Sequence, residues 1–237
     1  MSYEKKFVIS LVIPCYNEET NLPILWAHIE DLQAHFSGNM QVIFINDASN
    51  DSTLNILNLY MISSQNVFVI NDAFNIGCHL SVKKGFDYAT GEWFVFIPSD
   101  LQILPTIILD IIPLMDSSDF VATWRRDRQD LLHRRLVSRF YNYIIRFITK
   151  FNLNDFDSSI AIRASMYRNI SHKLRATTAS LAVEIATHSV RSGARIVEVP
   201  ITHYPRTAGT ARGLNWRDSL AAPIHLLRLW MLIRNTR

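Results

Sequence analysis

Short apolar runs alternate with segments of helical periodicity along the first half of the chain. The apolar runs predict strands at residues 7–13, 40–45, 67–70, 93–97 and 120–123. The intervening segments predict helices at 21–36, with Asn21 as its cap, from residue 52 onward, and at 81–89. Strands alternating with helices at this spacing are typical of a mostly parallel sheet with helices on both faces, so the sequence predicts an α/β fold.

The second half predicts longer helices and one further strand. The helices lie at 130–151, 178–191 and 214–233, and the strand lies at 195–201. No apolar run is long enough to span a bilayer; residues 219–233 come closest, but that run is short and holds His225 and Arg228. We therefore expect one domain over residues 1–212, followed by an amphipathic juxtamembrane helix over 213–237.

The helix predicted at 130–151 has two contrasting faces. Basic and amide side chains recur on one face at Arg128, Arg135, Arg139, Asn142, Arg146 and Lys150. Apolar side chains fall largely on the other, at Leu132, Leu136, Phe140, Tyr143, Ile144 and Phe147. A basic stripe is usually a solvated face, but one that lies opposite a strongly apolar face favours an anionic ligand or a membrane surface.

Polar residues follow four of the predicted strands at the point where each strand ends. Glu18 follows the first strand, Asp47 the second, Gly77 the third and Asp100 the fourth. Because parallel strands place their carboxyl ends at one edge of the sheet, this order predicts a nucleotide site there. Carboxylates accept hydrogen bonds from a nucleobase or ribose, and glycine allows close backbone approach. Taken singly, each residue could equally serve as a turn or helix cap.

Asp100 is followed two positions later by Gln102. In an extended chain both side chains would lie on the same side and present two hard oxygen donors. Such donors suit Mg²⁺ or Mn²⁺ held together with a substrate phosphate.

Composition and charge restrict the classes of molecule that the protein is expected to bind. The 237 residues are 19% charged with a net charge of +3, and a mean hydropathy of +0.08 leaves apolar surface for a membrane or a partner. Arginines crowd one stretch, at Arg125, Arg126, Arg128, Arg134, Arg135, Arg139 and Arg146. Such a patch indicates phosphate groups or an anionic membrane surface. Without a recognition helix or an aromatic-glycine motif, nucleic acid is disfavoured.

The two cysteines, Cys15 and Cys78, have no metal-ligand spacing and imply no disulfide framework. They favour a reduced, cytosolic compartment.

The strand-end motifs, taken in order, resemble glycosyltransferase family 2, and most closely its polyprenyl-phosphate glycosyltransferases, the group that includes dolichol-phosphate mannose synthase. The motifs lie at residues 14–19, 46–53, 75–77 and 99–102, and the resemblance continues at 125–130, 134–138, 140–141, 157 and 203–210. It covers about residues 7–212. It implies the GT-A fold and inverting transfer of a sugar from a nucleotide-diphospho-sugar.

The resemblance also implies roles for individual residues. The donor would contact Pro14, Tyr16, Glu18, Asp47, Asn75, Gly77, Ser99 and Asp100. A divalent metal would bind Asp100 and Gln102, and Arg206 would contact the diphosphate. The acceptor phosphate would bind beside Arg126, Arg134 and Ser138. Asp157 lies in the same motif series and, like Asp100, is a candidate base if the acceptor is a hydroxyl.

The chain departs from the family pattern at the strand ends. Pro98 stands where the first acid of the usual Asp-x-Asp motif lies, a change that bears on metal affinity. Asn46 and Ala48 replace an acid and a glycine of the second motif.

Three functions follow from these observations. The first is sugar transfer from a nucleotide-diphospho-sugar to a polyprenyl phosphate at the cytoplasmic membrane face, where a phosphate dianion needs little help from a base. The second is transfer to a saccharide hydroxyl in surface-polysaccharide assembly. The third, motivated by Pro98, is a subunit that binds nucleotide-sugar without turnover. A nucleotidyltransferase fits worse, because no glycine- and basic-rich loop follows the first strand. Expected partners also include the membrane surface and a membrane-protein subunit or a second copy of the chain.

Overall fold

A computed structural model describes residues 8–36, 39–126, 132–149, 151–178, 180–206 and 230–231, with the backbone alone over 132–137. Within these residues seven strands form one sheet. They are β1 (Ile9–Cys15), β2 (Met40–Asn46), β3 (Val67–Asn71), β4 (Trp93–Phe96), β5 (Phe120–Arg125), β6 (Ile160–Arg163) and β7 (Ile196–Ile201). The helices are α1 (Leu22–His35), α2 (Thr53–Ser63), α3 (Cys78–Tyr88), α4 (Ile107–Ile111), α5 (Leu132–Thr149), α6 (Ala164–Ser171) and α7 (Ser180–Arg191).

The sheet is mostly parallel, as the alternation of strands and helices predicts. Its order is β3-β2-β1-β4-β6-β5-β7. Strands β1 to β4 are parallel neighbours, and β7 runs parallel to β5. Strand β6 is the exception: it lies antiparallel between β4 and β5. Strand β6 was not predicted from the sequence, because its three apolar residues lead directly into α6 with no turn residue to separate the two elements.

The strand order reverses beside β1, which is flanked by β2 and β4. In open α/β sheets such a reversal opens a crevice at the carboxyl ends of the strands. Since β6 is antiparallel to both β4 and β5, the latter two strands point the same way. The carboxyl ends of β1 to β5 therefore share one edge, where the predicted site residues lie.

Two apolar layers enclose the sheet, so its strands are buried on both faces. Leu11 packs in a cluster with residues of α1, α2 and α4, whereas its neighbour Val12 packs in a second cluster with α3, α5, α6 and α7. Helix α3 approaches β1 so closely that a Cβ added at Gly85 would lie 2.3 Å from Val12 Cγ1. This contact sets the distance of α3 from the sheet and hence the place of its amino end.

Several helix bounds differ from the sequence prediction. Helix α1 carries a proline in its first turn as expected, but Asn21 makes no side-chain capping bond and instead donates to Glu18 Oε2 at 2.6 Å. Helix α3 begins three residues before the predicted start, at Cys78. The predicted helix at 214–233 and the domain boundary at 212 lie outside the described residues. Within those residues, no helix combines the length and apolarity that a bilayer crossing requires.

Candidate functional site

The loops that follow β1 and β2 are joined by hydrogen bonds between the backbone of one loop and side chains of the other. Asn17 N donates to Ser49 Oγ at 3.0 Å, and Asn50 N donates back to Asn17 Oδ1 at 2.8 Å. Glu18 N donates to Thr53 Oγ1 at 2.8 Å. The two motifs therefore form one structure, in which much of the polar character serves to fix the loops.

Asp47 joins the end of β2 to the start of α3. Its Oδ1 accepts the N–H of Ile76 at 2.6 Å and its Oδ2 accepts that of Gly77 at 2.9 Å. Asn75 Nδ2 donates to the Asp47 carbonyl at 3.1 Å. Gly77 has a φ of +89°, a conformation that glycine adopts most readily. Asp47 thus contacts both Asn75 and Gly77, the other two residues predicted to bind the donor here, and it is only 3% exposed.

Asp100 does not lie in an extended chain, so that premise of the sequence analysis was wrong. Leu101 has a φ of +61° and is buried, and the turn brings Gln102 N within 3.2 Å of Asp100 Oδ1. The other carboxylate oxygen, Oδ2, accepts a hydrogen bond from Arg206 Nη2 at 2.5 Å. The two residues that the resemblance assigns to the diphosphate are therefore already in contact.

The ends of β1 and β4 are joined directly. Ser99 Oγ donates to the Pro14 carbonyl at 2.8 Å. Tyr16 and Asp100, which follow these two residues in the chain and are predicted to contact the sugar donor, are both half-buried. We call the strand-end loops of β1 to β4 the donor edge.

Non-glycine residues with left-handed backbone occur in three of the loops at the donor edge. They are Asn17 and Ala48, both with a φ of 56°, and Leu101 with a φ of 61°. Such conformations are energetically costly and cluster at binding sites, where the surrounding structure holds them. Their presence after β1, β2 and β4 supports a ligand site at this edge.

Asp157 faces the same space as two carboxylates of the donor edge, around the first residue of α3. The thiol of Cys78 is exposed in part, yet desolvation by surrounding protein raises its pKa to about 12. The negative charges of Asp157, Asp100 and Asp47 contribute to this rise. These carboxylates come from three separate loops and converge only in the fold.

A cavity of about 520 Å³ opens beyond Asp157, at the carboxyl end of β5. We call it the arginine cavity, after its four guanidinium groups. Its lining is Trp124, Arg125, Arg126, Ser138, Arg139, Asn142, Tyr143, Arg146, Asn154 and Asp155. Arg126 and Ser138 were predicted from the sequence; the side chain of Arg134 lies outside the described residues.

A buried ion pair forms one wall of the arginine cavity. Arg125 Nε lies 2.7 Å from Asp155 Oδ2 and Arg125 Nη2 lies 3.0 Å from Oδ1. The same Nη2 donates at 2.7 Å to the carbonyl of Asp157, an acid of the loop before β6 that lies near Asp100 and Asp47 of the donor edge. Asp155 was not predicted from the sequence, since nothing in the residues around it distinguishes it from Asp157.

Helix α5 directs Asn142 and Arg146 toward the protein and three aromatic side chains outward. Arg146 Nε donates to the carbonyl of Leu153 at 2.8 Å. The side chains of Phe140, Tyr143 and Phe147 are 67%, 66% and 69% exposed. The basic stripe is therefore not an ordinary solvated face, because its described arginines line the cavity.

The divalent metal implied by the resemblance does not fit the residues present. Pro98 adds no side-chain oxygen, and both oxygens of Asp100 already hold hydrogen-bond donors, Gln102 N–H and Arg206. Within the described residues, no three or more His, Cys, Asp and Glu side chains come together as metal ligands. A cation at Asp100 would have to displace the Arg206 guanidinium.

Residues 10–173 match the family model described as glycosyl transferase family 2, which is more than half of the 237 residues. The chain belongs to glycosyltransferase family 2. One relative, the undecaprenyl-phosphate 4-deoxy-4-formamido-L-arabinose transferase of Aeromonas hydrophila, is 29% identical over 208 residues, which are 86% of this chain and 62% of the relative. The chain spans 62% to 65% of the length of the first curated relatives that it matches.

Solved structures confirm the GT-A fold. The glucosyl-3-phosphoglycerate synthase of Mycobacterium tuberculosis, in complex with Mn²⁺, UDP-Glc and phosphoglyceric acid, matches with a TM-score of 0.69 at 16% identity, over 94% of this chain and 80% of that one. The mannosyltransferase PcManGT of Pyrobaculum calidifontis, in complex with GDP-Man and Mn²⁺, matches with a TM-score of 0.64 at 18% identity, over 94% of this chain and 63% of that one. These neighbours are GT-A glycosyltransferases, as expected for this family.

Proposed function

We propose that this protein transfers a sugar from a nucleotide-diphospho-sugar to a polyprenyl phosphate at the cytoplasmic face of a membrane. The observation that carries the proposal is the arginine cavity, whose Arg125 donates to the carbonyl of Asp157, an acid that lies near Asp100 and Asp47 of the donor edge. Relatives named undecaprenyl-phosphate transferases support the same acceptor class.

The donor would bind along the donor edge, which resembles the nucleotide site of other doubly wound sheets. Oxygens of Asp47 and Glu18 retain lone pairs that can accept hydrogen bonds from a nucleobase or ribose. Arg206 would lie against the diphosphate, where negative charge develops as the nucleoside diphosphate departs. Mn²⁺ accompanies solved neighbours, but because the residues at Asp100 do not fit a metal here, the transfer is derived without it.

The acceptor phosphate would bind in the arginine cavity, where guanidinium groups can form paired hydrogen bonds with phosphate oxygens. Four arginines face a single acid there, Asp155, which is already paired with Arg125. A phosphate monoester has a second pKa of about 6 and is largely dianionic near neutral pH, so it can attack the sugar without a strong base. Arg126, Ser138 and Arg139 would hold that dianion.

A second candidate, transfer to a saccharide hydroxyl, is favoured by one observation: Asp157 is exposed at the junction of the donor edge and the cavity. A carboxylate at that position could accept the hydroxyl proton. The excess of guanidinium over carboxylate groups in the cavity favours the phosphate acceptor instead.

The membrane surface would meet the exposed aromatic side chains of α5. Phe140, Tyr143 and Phe147 lie at helical spacing on one side, next to the basic residues of the cavity. Such a helix suits the boundary between lipid headgroups and acyl chains. We assign the cytoplasmic face because both cysteines are free thiols.

Transfer should be tested with radiolabelled UDP- and GDP-sugars and vesicles that contain polyprenyl phosphate. We expect a lipid-linked product and its loss in Arg126→Gln, while Arg175→Gln, an exposed arginine outside the cavity, retains it. Transfer to a soluble saccharide alone would support the second candidate. The absence of both turnover and nucleoside diphosphate binding would contradict glycosyl transfer by this chain.

Membrane contact should be tested by flotation with anionic vesicles. We expect Phe147→Ser to weaken flotation, while Leu59→Ser, which changes a 63% exposed apolar side chain on α2, does not. Equal flotation of both variants and the unchanged protein would rule out the aromatic face as the contact.

A further inference from the structure

We propose that Arg206 is the resident cation for the donor diphosphate in this chain, and that donor binding is therefore independent of a divalent metal. The inference rests on the proposed function for the identity of the ligand, a nucleoside diphosphate. It goes beyond that function by assigning to a side chain the charge that a metal ion would otherwise supply.

The first step is the loss of metal ligands beside Asp100. Pro98 has no side-chain oxygen, so the acid two residues later is the carboxylate that remains of the expected pair. Its backbone is turned by the left-handed Leu101, which places Gln102 N–H against Oδ1. One carboxylate oxygen is thereby committed to the turn itself.

The second step is the place of Arg206. Its Nη2 lies 2.5 Å from Asp100 Oδ2, and the two side chains are 25% and 14% exposed. A charge-assisted contact of this length at a half-buried position is stronger than an exposed surface ion pair. The guanidinium therefore stands beside the carboxylate that a metal ion would need, and like charge repels a divalent cation from that position.

The third step is how the chain holds Arg206 there. The segment that follows β7 is tied to the donor edge, because Tyr204 N donates to the Gln102 carbonyl at 2.9 Å and His203 is buried. Its start is tied to the cavity side, because Arg126 N donates to the Ile201 carbonyl at 3.2 Å. Arg206 thus follows a short segment anchored at both the donor edge and the arginine cavity.

The consequence for the donor is an exchange of ion-pair partners. In the absence of donor, Asp100 neutralises Arg206 and holds it in place. A diphosphate at the strand ends offers oxygens that match the guanidinium fork, so Arg206 can turn from the carboxylate to the phosphate, while Asp100 keeps its hydrogen bond from Gln102 N–H. Asp100 is then a positioning residue for Arg206 rather than a metal ligand.

The test measures binding of UDP and GDP to the full chain by calorimetry, in EDTA and in Mn²⁺. We expect the unchanged protein to bind its preferred nucleotide with the same affinity in both buffers. Arg206→Gln should weaken binding in EDTA by about tenfold or more, the scale of one hydrogen bond between charged groups, while Arg206→Lys should retain part of it. Arg175→Gln is the matched control and should bind like the unchanged protein.

A gain-of-function variant makes the test independent of folding defects. Pro98→Asp restores the first acid and should make binding respond to Mn²⁺, and the double variant Pro98→Asp/Arg206→Gln should bind only with Mn²⁺. Binding of the unchanged protein in Mn²⁺ but not in EDTA would overturn the role of Arg206 and leave the proposed function standing. The absence of nucleotide binding in either buffer would instead count against the proposed function.

Discussion

The donor edge and the arginine cavity use charged side chains in opposite ways. At the donor edge, carboxylates hold mainly backbone: Asp47 binds two N–H groups, and Asp100 holds a turn with one oxygen and Arg206 with the other. At the cavity, a carboxylate holds an arginine, as Asp155 does with Arg125, and backbone carbonyls hold the guanidinium of Arg146. The donor edge is therefore shaped mainly by hydrogen bonds between loops, whereas the cavity is shaped by the balance of charge.

The contrast fits the proposal that one sheet edge binds two different ligands. Loops fixed by neutral N–H groups suit a nucleoside, which is recognised by shape and directed hydrogen bonds. A surplus of positive charge in a cavity suits a phosphate, whatever it is attached to. Arg206 and the Arg125–Asp157 contact lie between the two regions.

The largest effect is expected when the buried carboxylate at the cavity is removed. Asp155→Ala leaves Arg125 without its carboxylate partner and should lower the free energy of unfolding by about 3–5 kcal/mol. Transfer to polyprenyl phosphate should fall while nucleoside diphosphate affinity is retained, as measured by urea unfolding and calorimetry. The matched control is Asp116→Ala at an exposed acid. A stability close to that of the control would show that the ion pair is not needed.

The opposite perturbation is Asp47→Ala at the donor edge. Two N–H groups lose a charged acceptor, so the free energy of unfolding should fall by about 2–3 kcal/mol. Here nucleoside diphosphate affinity should fall, and phosphate binding in the cavity should not. Asp47→Asn keeps one acceptor oxygen and should show a smaller loss on both measures. If both variants weakened the two ligands equally, the separation of the regions would be wrong.

A smaller effect is expected from closer packing of α3. Gly85→Ala would place a methyl group against Val12, which costs about 1–3 kcal/mol by overpacking and recovers part of that through helix propensity. The same substitution in a Val12→Ala background should cost less, because the closest clash is removed and the remaining one, at 2.9 Å, is with the flexible end of the Ile45 side chain. Chemical denaturation of the four proteins gives the coupling; additive effects would contradict the close contact.

The smallest expected effect is a loss of stability in mild acid. Burial lowers the pKa of His79 and of His188, and for His188 the positive charges of Lys173 and Arg191 lower it further, whereas Asp157 opposes the shift at His79. The unfolded chain then binds more protons below a pH of about 6.5, so stability is fully present above that pH and is lost as the pH falls. Melting temperatures between neutral pH and mild acid should fall less in His188→Gln than in the unchanged protein. The control is His35→Gln, at an exposed histidine.

The chain itself predicted much of the fold and part of the site. Apolar runs identified β1 to β5 and β7, and the ordered strand-end residues identified the family. It did not predict β6, whose short apolar run leads directly into α6. Nor did it predict the ion pair of Arg125 with Asp155, because many acids in the sequence are equivalent until a fold brings one of them to the arginine.

Local signals thus determined the strands, the helices and the loops in which chemistry lies, because periodicity and turn residues act within a few positions. The tertiary structure decided which groups meet. Asp100 and Arg206 are 106 positions apart, and their contact depends on β4 and on the segment after β7 both ending at one sheet edge. The sequence showed that Pro98 replaces an acid; only the fold showed that an arginine occupies the place beside the acid that remains.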